Sequence, residues 1–322
     1  MTNNMPVSNK DKYRQLCEEK FIPFFMQAWW MDAVCGVDKW EVLLSEKEGV
    51  IIGALPYLLV RKSIFKCIIQ PQLTQYNGVW IDYPKGIKLA KKCSLEKEIM
   101  SNLIDQIKQK RIHYFNQNFY YSINNCDPFV SKGFTQSIRY TYVIEDISHP
   151  DKVYKPFSYA KQKHIKKSEG KLNVKFDISA DAFYDFHAEA LSQRDEKIVY
   201  SKALFMSIYK SSVERNQGQI ISIADNQGNI HAALFVVWDK QSAYYLISAI
   251  DTNFKSSGAS TLMIWEAIKF LSDKTQIFDF EGSMIESVAK SFKEFGSVRK
   301  SYVNISNYYS PIFKLIMQLR KV

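Results

Sequence analysis

The sequence predicts a mixed α/β protein of two similar domains, and three observations carry that prediction. The chain has 322 residues, a length that favours two domains over one. Its second half runs in the order helices, antiparallel hairpin, third strand, helix, strand, helix, strand. The two halves also echo each other. Gly49-Val50-Ile51-Ile52-Gly53-Ala54-Leu55 shares Gly, Ile, Ala and Leu positions with Gly228-Asn229-Ile230-His231-Ala232-Ala233-Leu234, each just after a strand and a turn. Phe129…Gly133 and Phe292…Gly296 both place a Phe and a helix-stopping Gly four apart before a strand.

Taken in order, the first half opens with a polar helix over about Lys10 to Lys20, followed by the aromatic segment Phe24 to Trp30. Trp40–Leu44 and Val50–Val60 read as a hairpin around Glu46-Lys47-Glu48-Gly49, with Pro56 expected to force a bulge or an edge. Residues 68–81 read as strand and loop. Leu95, Ile99, Leu103, Ile104 and Ile107 recur at helical spacing. A strand at Phe119–Ile123, a short helix near Asp127–Lys132 and a strand at Tyr140–Ile144 close the half. The polar, proline-bearing stretch Asp146–Pro156 is the expected boundary. It gives domains over 1–150 and 151–307, with the helix in 308–322 joining the first. The second half then predicts a basic helix over Tyr159–Glu169, a strand at Val174–Ile178 and helices at Ala180–Ser192 and Lys202–Arg215. A hairpin follows around Asn226-Gln227-Gly228, then a third strand at Ala243–Ile250 and a strong helix from Ser260. A strand at Gln276–Phe280, a helix at Ile285–Phe295, a strand at Val298–Ile305 and a helix from Pro311 complete it.

Composition narrows the function. Charged residues are 24% and hydrophobic ones 46%, as in an ordinary globular protein. The net charge of +10 is spread as about +4 before Asp151 and about +6 after it, without a run of five like charges. A phosphate-bearing partner fits this charge; a dedicated nucleic-acid-binding arm does not, and no DNA partner is expected. The five cysteines are widely spaced and lack a CxxC or zinc pattern, so no metal and a reducing compartment are expected. The polar start MTNNMPVSNKDKYRQ has no apolar signal region and no stretch reaches 18 apolar residues, so a cytoplasmic protein without stable membrane insertion is expected. GxSxG, GxxxxGK[ST], HExxH and GxGxxG are all absent.

The element order of the second half resembles a GNAT-type N-acetyltransferase domain, and FVSKGF at Phe129–Phe134 resembles the helix-end motif of many acetyltransferases. Longer segments resemble the FemAB-like acyltransferases, the group related to methicillin-resistance factors. These are IIQPQLTQYNGVW (68–80), SYAKQKHIKKSEG (158–170), LMIWEAIKF (262–270) and FDFEGSMIESVAKSFKEFG (278–296). The heptad arm of larger family members is missing. The resemblance implies two tandem GNAT-like domains and direct acyl transfer from acetyl-CoA or another acyl carrier to an amine. Two alternatives stand beside it: an aminoacyl-tRNA-dependent transferase acting on a peptidoglycan precursor, and a non-catalytic binding module that keeps the fold.

Four places are candidates for the chemistry. Lys255-Ser256-Ser257-Gly258-Ala259-Ser260 opens a helix after a strand, where backbone N–H groups cradle a pyrophosphate; an ordinary serine cap explains the same residues. Asp279 and Glu281, two apart on one strand, are candidate general bases, or ordinary strand-end carboxylates. Lys163 and Lys167, one turn apart on the basic helix, are candidates to receive phosphates of a nucleotide-linked precursor or a tRNA end, or else a solvated face. Gln75, Tyr76 and Trp80 around Asn77-Gly78 are candidates for a substrate pocket, or a tight turn. Ser283 with Glu286 reads as a capping box. The tail from Pro311 places Ile312, Leu315, Ile316 and Leu319 on one apolar stripe, with Lys314, Arg320 and Lys321 off it. Burial of that stripe against the first domain is expected, with at most transient membrane contact.

Overall fold

A computed structural model describes residues 7–282 and 284–319. The chain divides into two compact units, residues 1–139 with 301–322, and residues 140–300. The division falls inside two strands rather than in the expected linker at 150/151.

The first unit begins with α1 (Asn9–Glu19), capped by Ser8, whose hydroxyl accepts from the Asp11 N–H. A 3-10 turn at Phe24–Met26 and α2 (Ala28–Cys35) bury the aromatic segment, with Phe24, Phe25 and Trp30 fully enclosed. The hairpin β1 (Trp40–Lys47) and β2 (Val50–Lys62) is antiparallel, and β3 (Phe65–Ile69) and the short β4 (Trp80–Ile81) both pair with β2. Pro56 makes no bulge. It pairs in register with Val42, while on its other side β4 stops at Ala54 and β3 starts at Leu58, so no partner awaits the missing N–H. The bulge lies at Ser45/Glu46 instead. Helix α3 (Leu89–Gln109) packs Ile99, Leu103, Ile104 and Ile107 into the core. The next strand, β5 (Tyr114–Phe119), lies earlier than the expected Phe119–Ile123. Its alternation is Phe115, Gln117, Phe119 inward, and the buried glutamine hides the apolar rhythm. Helix α4 (Asp127–Val130) follows.

The two remaining long strands exchange places. β6 (Thr135–Ile144) follows α4 but carries its buried end, Thr141–Ile144, into the second unit, where Val143 and Ile144 pair with β11 (Ile277–Asp279). β12 (Val298–Tyr308) follows the second half but pairs Val303–Tyr308 with β5 of the first unit. Each unit therefore takes its last strand from the other half of the sequence.

The second unit starts with α5 (Pro150–Tyr154) and α6 (Tyr159–Ser168), then β7 (Asn173–Lys175), α7 (Ala180–Ser192) and α8 (Lys202–Val213). The meander β8 (Gly218–Ala224), β9 (Ile230–Trp238) and β10 (Ser242–Ile250) is antiparallel. Helix α9 (Ala259–Leu271) crosses to β11, which is parallel to β10, and α10 (Glu286–Lys293) leads to β12. The sheet order of this unit is β6-β11-β10-β9-β8-β7. Leu262, Trp265, Ile268 and Leu271 of α9 pack with Leu234, Val236, Phe278, Phe280, Phe292 and Phe295 to make one core.

Helix α11 (Pro311–Leu319) departs from expectation. Its anchor is Phe313, 2% exposed, whose ring lies 4.9 Å from Phe65 and 5.7 Å from Tyr114. Of the expected stripe only Ile316 is half-buried; Ile312, Leu315 and Leu319 remain 67%, 57% and 68% exposed, because the ring sits about a quarter turn off Ile312 and burying it is worth about 2–3 kcal/mol. Arg320 and Lys321 lie outside the described residues.

Candidate functional site

In the second unit, β10 and β11 pair over only three rungs, Ser242–Ile277, Ala243–Phe278 and Tyr244–Asp279. Beyond Asp279 the β11 chain turns away through two left-handed residues, Glu281 (φ 58°) and Gly282 (φ 74°), while β10 runs on to Ile250. A Cβ on residue 282 would lie 2.1 Å from the Tyr140 carbonyl oxygen, so only glycine fits that turn. β10 is also bulged: Tyr245 pairs with Val236 and Ile247 with Phe235, leaving Leu246 without a cross-strand partner in the register. Short pairing and bulge together split the sheet.

On the α9 side of this split lies a cavity of about 310 Å³. Tyr245 and Ser248 of β10, Ser260 and Thr261 of α9, and Phe292 and Phe295 of the α10 region line it, and two cations, Lys161 and Arg194, reach it. Lys161 donates to Ser291 Oγ at 2.8 Å, lies 3.7 Å from Glu294 Oε2 and sits 4.6 Å from the Phe295 ring centre. Burial holds its pKa below the ordinary lysine value, against the raising pull of Glu294. Arg194 donates to the Ile250 carbonyl at 3.2 Å. Burial pushes the Tyr245 phenol up to about 12, opposed by a hydrogen bond with Ser248 and by the charge of Arg194.

Asp279 shares the rung of Tyr244, not of Tyr245, so it faces the opposite side of the sheet from the cavity. It is fully buried, and its Oδ1 accepts from the Thr141 hydroxyl and, at 2.7 Å, from the Glu281 N–H. The strand ends at Asp279, so Glu281 does not continue one strand face as its spacing predicts; its left-handed backbone turns the chain just past the strand end. Burial first, and the Asp279 charge second, push the Glu281 carboxyl well above the usual carboxylate range. Its Oε1 is buried without a hydrogen-bond partner among the described residues. A bulky residue held at positive φ with an unpaired carboxyl oxygen is a costly arrangement of the kind found at functional sites.

The expected carrier loop stands at the entry to α9, with the Gly258 Cα packed against α6. Gly258 (φ 81°) packs on α6: a Cβ there would lie 2.3 Å from Ser168 Oγ and 2.9 Å from the His164 carbonyl oxygen. Ser168 Oγ is 2.8 Å from the Ser257 carbonyl oxygen, and Lys167 Nζ reaches that of Ser256 at 3.3 Å. Ser257 Oγ accepts from the Ala259 N–H, a local cap. Lys255 and Ser256 are exposed, and Ser260 faces the cavity. Lys163 is exposed on the outer face of α6, whereas Lys161, Ile165 and Ser168 form its inner stripe. Sequence reasoning placed Lys161 on the basic helix without singling it out, and it missed Arg194, Tyr245, Ser248 and Ser291. Only the 161/165/168 spacing pointed inward; the bulge in Tyr-Tyr-Leu-Ile has no sequence mark. The capping role of Ser283 lies outside the described residues, and α10 starts at Glu286 after Ile285.

Residues 159–284 match the family model described as an acetyltransferase (GNAT) domain. Among solved structures, FemX superposes with a TM-score of 0.70 at 12% identity, covering 97% of this chain and 99% of that one. A tandem GNAT protein from the clavulanic acid biosynthesis pathway superposes at 0.53 with 10% identity, covering 93% and 94%. This chain is a tandem GNAT-fold protein. A third similar structure, L-PGS from Bacillus licheniformis, gives 0.58 at 9% identity over 96% of each chain. No curated protein matches the sequence.

The first GNAT unit has the equivalent parallel pair, β3 with β5, joined at Cys67–Tyr114 and Ile68–Phe115. Its split is filled by the unit's own chain. Asn118 gives its N–H to Gln70 Oε1 and receives the Asn77 N–H on its carbonyl, at 2.8 Å each. Gly78 (φ 127°) lies so close to Phe119 that a Cβ would be 2.3 Å from the ring. Gln75, Tyr76 and Trp80 are buried in this plug, Tyr76 against Phe25 and Tyr120, and Trp80 with its indole N–H on the Phe21 carbonyl.

Proposed function

We propose that the second GNAT unit is an acyl-transfer site that takes its acyl group from an aminoacyl ester, the end of an aminoacyl-tRNA, and passes it to an amine of the cell-wall-precursor class. The single observation that carries this reading over coenzyme A is the seat of α6 on the Gly258 turn. A pyrophosphate needs the N–H cradle at the start of α9 open to solvent. Here Ser168 and the His164 carbonyl pack against the Gly258 Cα, and Ser168 Oγ bonds the Ser257 carbonyl within the loop. Next to it, the cavity with Lys161 and Arg194 offers cations to a carrier bearing phosphate.

In this reading the ester carbonyl sits in the cavity against the β10 bulge, where backbone N–H groups released from pairing stabilise the oxyanion. The amine enters at the split from the Asp279 face. Glu281 takes the proton of the attacking amine, Asp279 holds the Glu281 backbone in place, and the C–N bond forms as the ester C–O bond breaks. The leaving hydroxyl recovers a proton, for which Lys161, with its lowered pKa, is the available donor. Filter binding tests the donor: aminoacylated tRNA is expected to bind at least about tenfold tighter than deacylated tRNA. Lys161→Met is expected to reduce that preference, and calorimetry with about 1 mM acetyl-CoA to show no heat. Micromolar coenzyme binding with indifference to tRNA charging returns the site to the acyl-CoA reading.

A further inference from the structure

We infer that the end of the first unit formed by α11, the β2–β3 turn and the α3–β5 turn docks on an anionic lipid surface. Ring and backbone contacts join the three pieces. The Phe313 ring lies 4.9 Å from that of Phe65, the residue after Ile64, tilted by 50°, and the Tyr309 N–H bonds the His113 carbonyl, two residues after Arg111. Four aliphatic side chains stand free of the body there: Ile64 at 75% exposure, Ile312, Leu315 and Leu319. Such large residues on a helix whose other face is already seated are unpartnered apolar surface. Segments 58–69, 109–119 and 301–319 contain no Asp or Glu, and they carry Arg61, Lys62, Lys66, Lys110, Arg111 and Lys314. None of these cations forms an ion pair among the described residues.

Aliphatic side chains flanked by unneutralised cations match an interface in which acyl chains lie beneath anionic headgroups. A nucleic-acid face uses the cations and leaves the leucines without a role. No helix among the described residues is long and apolar enough to cross a membrane, so the contact is superficial. The inference stands apart from the acyl-transfer reading, since none of these residues lines the cavity.

Vesicle co-sedimentation of the full chain tests it. Binding to vesicles containing phosphatidylglycerol is expected to exceed binding to pure phosphatidylcholine at least about tenfold, and to fall in about 0.5 M salt. The double change Ile312→Ser with Leu315→Ser, at exposed positions, is expected to cut binding about tenfold while leaving the thermal melt unchanged. Lys62→Glu with Lys314→Glu is expected to erase the preference for anionic lipid. Equal, weak binding to both vesicle types overturns the inference. So does a double variant that sediments like the parent, or loss of tRNA binding rather than lipid binding on the same substitutions.

Discussion

The two GNAT units solve one geometric problem in opposite ways. Each has a parallel strand pair that parts in mid-sheet, β3/β5 in one and β10/β11 in the other. In the first unit residues 70–79 return into the gap and satisfy both backbone groups of Asn118. In the second, a bulge and two left-handed residues keep the gap open, with a cavity that two cations reach and, just past the end of β11, the unpaired Glu281 carboxyl oxygen. A filled gap is worth stability and an open one is worth chemistry, since buried polar groups left unpaired are costly unless a substrate completes them. One fold present twice therefore shows one split left open beside a cavity and one packed shut.

Three substitutions separate the two roles. Glu281→Gln is expected to have the largest effect, lowering single-turnover transfer about 10²–10⁴-fold by removing the proton acceptor. The parent's rate should rise with pH as the raised carboxyl ionises. The stability sign runs the other way. The folded state holds the Glu281 proton more tightly than the unfolded chain, so this group favours folding at low pH, and that contribution is lost as pH rises through the folded pKa. Glu281→Gln should therefore melt higher than the parent at alkaline pH, the gap closing towards pH of about 4.5. A variant that keeps full rate and the parental melting profile breaks the comparison. In the first unit, Gly78→Ala meets both a strained φ and the Phe119 ring, and should cost about 2–4 kcal/mol in denaturant titration without a specific loss of catalytic rate in the folded fraction. Gln70→Ala removes the acceptor for the Asn118 N–H and should cost about 1–2 kcal/mol, again with the rate unchanged. A rate loss from Gln70→Ala in fully folded protein would mean that the plug takes part in the reaction.

What the sequence determined by itself is the run of elements and the fold. Leu262, Trp265, Ile268 and Leu271 at helical spacing, the hairpin around Asn226-Gln227-Gly228, and the paired Phe…Gly helix ends are local patterns, and local patterns follow from side-chain period and turn chemistry. Tertiary structure alone decided the rest. β6 and β12 exchange units because register and burial, not chain order, choose a strand's partner, and a strand carries no mark of which sheet will take it. The buried Gln117 disguised β5, and Phe313 rather than the Ile312/Leu315/Leu319 stripe seats α11, because one aromatic ring facing Phe65 and Tyr114 outweighs an amphipathic pattern with nothing opposite it. The carboxylates Asp279 and Glu281 were legible as a pair of residue types. The sheet's separation of Asp279 from the cavity, and the meeting of Lys161, Arg194 and Tyr245 around that cavity, bring together segments far apart in sequence and arise only when the chain is packed.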